Sequence, residues 1–184
     1  EIKIIDPQTQ KIVPRGMPGE ICARGYVVMK CYYNNPSATR STIDTDHWNH
    51  TGDLGTMDEE GYVRIVGRIK EMVIRGGENI YPREIEEFFH THPKIEDVYI
   101  IGVPDEKYGE ELMAWIKLHD GFEMTEEEVK AYCDGQIARY KTPRYVKFVT
   151  GFPATVTGKI RKGEMQEISI RELGLEDEAQ IETA

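Results

Sequence analysis

The density of turn signals in the first part of this chain limits its fold more than any other feature. Asp6-Pro7, Pro14-Arg15-Gly16, Pro18-Gly19, Asn34-Asn35-Pro36 and Glu59-Glu60-Gly61 punctuate residues 1 to about 66. The segments between them read as short strands, and Glu1 to Asp6 alternates polar and apolar residues as a half-buried strand does. Residues 1–67 are therefore predicted to be all β. A strand pattern that begins at Glu1, with no methionine ahead of it, reads as a start inside an ordered region.

After Gly67 the periodicities mix. Met72 to Ile74 reads as a short strand. Pro82 suits a first helical position, Ile85, Phe88 and Phe89 share one face of the helix that follows, and His92-Pro93 ends it. Val98 to Val103 and Glu111 to Leu118 read as strands, the first apolar enough for a central place in a sheet. Thr125 and Glu128 have capping-box spacing ahead of a helix carrying Val129, Cys133 and Ile137, with Gly135 as its weak point. Tyr145 to Val149 reads as a third strand and Glu164 to Leu173 as a last helix. The predicted class is α+β: the all-β segment, a compact α+β domain over 68–175 with a three-stranded sheet and flanking helices, and an acidic, frayed tail over 176–184.

Composition narrows the function. With 184 residues, 39% of them hydrophobic, the chain can bury one ordinary core or a compact domain plus part of another. No run approaches the ~20 apolar residues of a membrane span. A net charge of −10 argues against a general affinity for nucleic acid or anionic membrane. Cys22, Cys31 and Cys133 are scattered without C-x-x-C spacing, which points away from a disulfide framework or zinc site and toward a reducing compartment. Yet no carboxylate falls between Gly135 and Gly163, while Arg139, Lys141, Arg144, Lys147, Lys159, Arg161 and Lys162 all do. That stretch suggests a local anion site.

Three short motifs carry possible chemistry. Thr51-Gly52-Asp53, in a turn-forming context, would hold a carboxylate at a loop tip, where it either closes a turn or accepts two hydroxyl hydrogen bonds such as those of a ribose. Gly67-Arg68-Ile69-Lys70 leads into Arg75-Gly76-Gly77-Glu78-Asn79, whose glycines allow a tight turn or a close approach to a ligand. Thr155-Val156-Thr157-Gly158-Lys159-Ile160 reads as a mobile loop presenting one ammonium to an anion, or as a solvated basic loop. Neither a P-loop nor a G-x-G-x-x-G fingerprint occurs.

In combination the motifs say more. T-G-D, G-R-x-K, G-G-E-N-I-Y-P and T-x-T-G-K-I, in that order and preceded by Gly19-Glu20-Ile21 and the Gly25 to Tyr33 run, resemble the adenylate-forming superfamily of acyl- and aryl-CoA synthetases. The resemblance implies the C-terminal portion of an AMP-forming acyl-CoA synthetase, with a medium- or long-chain fatty acid as substrate. Residues 1–67 would be the last β subdomain of the large N-terminal domain, and 68–175 a lid that swings between two half-reactions. It implies ATP or AMP, CoA and a carboxylic acid as ligands, Mg2+ accompanying ATP with its ligands elsewhere, and a preceding N-terminal domain as partner. Asp53 would hold the ribose hydroxyls and Arg68 the ribose and phosphate. Lys70 would be the hinge, Gly76 and Gly77 would line the pantetheine tunnel, and Lys159 would be the adenylation lysine. Cys31 departs from the glycine common there, outside the reacting groups. The segment alone is expected to be inactive, in the cytoplasm or, for a eukaryote, the mitochondrial matrix.

The competing expectation is an idle nucleotide- or partner-binding module of the same fold, against which the retention of Lys159 and the Gly76-Gly77 pair both argue. His90 and His92 are expected to contact carbonyls or solvent rather than metal, and Trp115 and Tyr99 to be sheet residues. His47, Trp48 and His50 precede T-G-D without an assigned role.

Overall fold

The computed structural model describes residues 1–180 and divides the chain into two units, Glu1–Lys70 and Glu71 onward. In the first, Asp6 Oδ1 accepts from the N–H groups of Gln8 and Thr9, a turn that ends β1 (Ile2–Ile5). β2 (Gly19–Ala23), β3 (Asn49–Met57) and β4 (Val63–Arg68) complete an antiparallel sheet in the order β1-β2-β3-β4. Ile4, Ile5, Cys22 and Leu54 are its buried apolar residues.

This unit is not all β. α1 (Pro36–Thr42) begins within the Asn34-Asn35-Pro36 cluster, where Asn35 caps it by accepting from Ala38 N. Asn-Pro signals a helix start as readily as a turn, because a side-chain oxygen satisfies a free N–H in both. The division between the units falls after Lys70, inside the 3-10 turn Ile69–Glu71.

The second unit carries five strands, where a three-stranded sheet and a short strand over Met72 to Ile74 are expected from the sequence: β5 (Val73–Arg75), β6 (Glu78–Ile80), β7 (Ile95–Asp105), β8 (Gly109–Leu118) and β9 (Tyr145–Phe148). The order is β6-β5-β8-β7, with β9 parallel to β8. β5 matches the strand read at Met72 to Ile74, shifted by one residue, and joins the sheet, while β6, at three residues, is too short to display an alternation. β8 is the central strand, and β7, whose apolar run suggested that place, lies at an edge.

Helices on both faces explain the apolar run. Val98 and Ile100 join Leu112, Ala114 and Ile116 against Ile85 and Phe89 of α2 (Pro82–Phe89) and Val129 and Cys133 of α3 (Glu126–Cys133). Ile101, Val103, Met113 and Trp115 face the other way, against Met165 of α4 (Lys162–Leu173). The helices also satisfy the free edge: Glu86 Oε1 accepts from Ile100 N at 2.8 Å, and Gln166 Nε2 donates to Gly102 O at 2.9 Å.

The Thr125–Glu128 capping box forms in both directions, but α3 ends at Cys133, short of Ile137, because Asp134 is extended and Gly135 left-handed. After α4, residues 178–180 form a 3-10 turn. The rest of the acidic tail, 181–184, lies outside the described residues. No described helix is long and apolar enough to cross a membrane.

Candidate functional site

Thr51-Gly52-Asp53 lies inside β3 and not at a loop tip. β2 and β3 lose register between Glu20 and Cys22, so these three residues bulge out opposite Ile21. Gly52 turns the backbone there with φ +71°, a conformation glycine adopts at little cost. Thr51 Oγ1 donates to Ile21 O at 2.8 Å and accepts from Asp53 N at 3.1 Å. Asp53 pairs with Arg68 across β4, where Arg68 Nε donates to its Oδ1 at 2.9 Å. The side chains are 29% and 52% exposed, so the pair is accessible, and the second carboxylate oxygen is not engaged among the described residues.

Lys70 is exposed in the turn at the junction of the units. Gly76 and Gly77 form the two-residue turn of the β5–β6 hairpin, with φ +58° and +87°. A hairpin turn with two left-handed residues is reason enough for glycine at both positions. It is firmly placed: Gly76 N donates to Tyr108 O at 2.8 Å, and the preceding Arg75 makes two bonds, 2.8 and 2.7 Å, to buried Glu111.

The loop expected to be mobile is a hydrogen-bonded turn. Ala154 and Ile160 bridge its ends, Thr155 N donates to Lys159 O at 2.8 Å, and Lys159 N donates to Thr155 Oγ1 at 3.1 Å. Phe152 and Ile160 fasten it to the α4 face of the sheet, with the Phe152 ring edge-on to Tyr99. Lys159 is exposed, and its ammonium has no ion-pair partner among the described residues.

The surrounding basic stretch is not one anion site. Lys141, Arg144, Lys147, Arg161 and Lys162 pair with Glu84, Asp105, Glu172, Glu164 and Glu86 respectively, carboxylates that all lie outside the stretch. Lys159 and Arg139 keep their charge unpaired among the described residues. A gap in carboxylates along the sequence therefore says little about neutralisation in space.

The three cysteines are free, and burial pushes the thiols of Cys22 and Cys133 up to about 11. His92 Nδ1 accepts from Lys94 N, and His90, exposed to solvent, has its Nε2 3.6 Å from Asp97. Trp115 and Tyr99 are sheet residues, and Trp115 Nε1 donates to buried Ser169.

Residues 84–159 match the family model of the AMP-binding enzyme C-terminal domain. The chain is 57% identical to YngI of Bacillus subtilis (strain 168), whose assigned name is that of an acyl-CoA synthetase, over 95% of this chain and 32% of that protein. It is 49% identical to the human mitochondrial medium-chain acyl-CoA ligase ACSF2, over 95% of this chain and 28% of that one. Among solved structures, ATP-bound MatB from Rhodopseudomonas palustris superposes with a TM-score of 0.88 at 38% identity, covering 94% of this chain and 34% of that one.

This chain belongs to the adenylate-forming superfamily. It corresponds to the C-terminal portion of its members and spans about a third of the length of the relatives it matches. Of the residues singled out by the superfamily motifs, Asp53 and Arg68 are brought together in the first unit, while the Gly76-Gly77 turn and Lys159 belong to the second. Sequence reasoning missed the buried acids Glu20 and Glu111 and the partly buried Glu86, which hold backbone or arginine groups in place. Gly19-Glu20 is part of the resemblance, but nothing in its pattern marks a buried charge.

Proposed function

We propose that this chain is the part of an AMP-forming carboxylic acid–CoA ligase that supplies its adenylation lysine and CoA-tunnel loop, for a medium- or long-chain fatty acid. The observation that carries this reading is the isolated, exposed ammonium of Lys159 on a firm turn whose basic neighbours are nearly all paired. In adenylation a carboxylate oxygen attacks the α-phosphorus of ATP, an O–P bond forms and pyrophosphate leaves. The barrier is the approach of two anions, and a cation placed between them lowers it most where water is excluded.

In the same reading Asp53 accepts the ribose hydroxyls through its unengaged oxygen, and Arg68 steadies that carboxylate and reaches the phosphate. Lys70 is the hinge. The Gly76-Gly77 turn borders the tunnel through which the CoA thiol reaches the acyl carbon, where sulfur displaces AMP. Mg2+ accompanies ATP, and no residue of this chain is assigned to it. We place the protein in the cytoplasm, or in the mitochondrial matrix if its source is eukaryotic; the ACSF2 relatives carry "mitochondrial" in their names.

The deciding experiment separates the half-reactions. In the full-length protein Lys159→Ala should slow acyl-adenylate formation by ~100-fold or more, while CoA thioester formation from supplied acyl-adenylate persists. Equal loss in both half-reactions would show that Lys159 is not the adenylation lysine.

A further inference from the structure

Glu20 is the buried acid of the first unit, 6% exposed, and both of its oxygens are engaged. Oε1 accepts from the backbone N–H of Gly52 at 3.1 Å, and Oε2 lies 2.9 Å from His50 Nδ1. The other ring nitrogen, Nε2, faces Asp44 Oδ2 at 3.5 Å, and Cys22 Sγ lies 3.6 Å from Nδ1. Asp44, His50, Glu20 and Gly52 therefore form one chain of contacts that ends on the residue before Asp53. It ends, moreover, inside the bulge that aims Asp53 at Arg68.

The bulge is held from β2 at two points: Thr51 through Ile21 O, and Gly52 through Glu20. Burying a carboxylate to satisfy a single N–H is costly, because desolvation penalises the charge. An imidazole on the second oxygen offsets that cost and fixes the carboxylate's orientation. The donor atoms of Glu20, Cys22 and His50 lie within 4.8 Å of one another, close enough to share a cation. Yet the Cys22 thiol is fully buried and strongly disfavours ionisation, and Glu20 Oε1 is already committed to Gly52. A hydrogen-bonded clamp accounts for every contact in the cluster.

We infer that Glu20 and His50 are positioning residues for nucleotide recognition: by holding the Thr51–Asp53 bulge they set how strongly Asp53 engages the ribose hydroxyls. This rests on the reading of Asp53 as the ribose acceptor.

The test measures, by calorimetry on the full-length protein, the affinities for AMP and for 2′,3′-dideoxy-AMP. The wild type should prefer AMP by about tenfold or more, the worth of a charge-assisted hydrogen bond. In Glu20→Ala that preference should collapse to within ~3-fold, scaled on the same bond. Glu20→Gln should restore most of it, since its amide oxygen can accept from Gly52 N while its NH2 can donate to His50 Nδ1. His50→Ala, at a partly exposed position, gives a second route if Glu20→Ala does not fold, and should also weaken the preference. A role in stability alone would lower the folded fraction and leave the ratio unchanged; an unchanged ratio in the folded variants overturns the inference while Asp53 keeps its role. A wild type indifferent to the hydroxyls, matched by Asp53→Ala, overturns the ribose reading and this inference with it. Stoichiometric zinc retained by the wild type and lost in Glu20→Ala would make the cluster a metal site instead.

Discussion

A methyl group on Gly77 would touch nothing within 4 Å, yet its φ of +87° makes the position hostile to any L side chain. Gly77→Ala should therefore cost about 1 kcal/mol of unfolding free energy, from backbone strain alone. Gly76→Ala should cost more, because its Cβ would also come to 3.2 Å from the Tyr108 ring. Denaturant unfolding of the two variants tests the order, and equal midpoints would show that the ring yields freely. These glycines were legible as turn formers. Whether they also serve a ligand was not, since the hairpin accounts for both. Buried acids were the opposite case: Glu20 and Glu111 look like any surface glutamate until the chain across the sheet supplies Gly52 N or Arg75.

Elements read well where the signal is local. The Thr125–Glu128 box forms as predicted, since its partners sit one turn apart. The rank of β7 did not read well, because an edge strand covered by helices on both faces has the same apolar run as a central one. Just beyond α2, His92 gives the second unit a pH dependence. Its Nδ1 accepts from Lys94 N and its ring meets Tyr132 edge-on, and burial, with the Lys94 ammonium beside it, holds the imidazole below its ordinary 6.5. Protonation is thus harder in the folded state than in the unfolded one. The stability this contributes is fully present above pH 6.5 and is lost as pH falls through the lower folded value. The urea midpoint should fall over that window, and His92→Gln should flatten the fall; an equally steep fall in the variant would assign it to other groups.

At the scale of the whole molecule, the chain spans about a third of the relatives it matches, and its charged and polar candidates are divided between two units. The acid pocket and phosphate-binding loop expected of the superfamily are not among the motifs of this sequence. We predict that the 184-residue chain, purified alone, forms no acyl-CoA from fatty acids, ATP and CoA. Sustained thioester formation by that chain would show that the activating pocket lies within it.

The order of the four motifs, the Thr125–Glu128 cap and the change from short strands to mixed elements near Gly67 were determined by the sequence alone, because each depends on residues a few positions apart. Tertiary structure alone decided which basic side chains keep a free charge, which strand lies at the edge, and that Asp53 is aimed by a bulge. Those properties depend on partners brought in from distant parts of the chain, and charge neutralisation and backbone satisfaction are settled only where such partners meet.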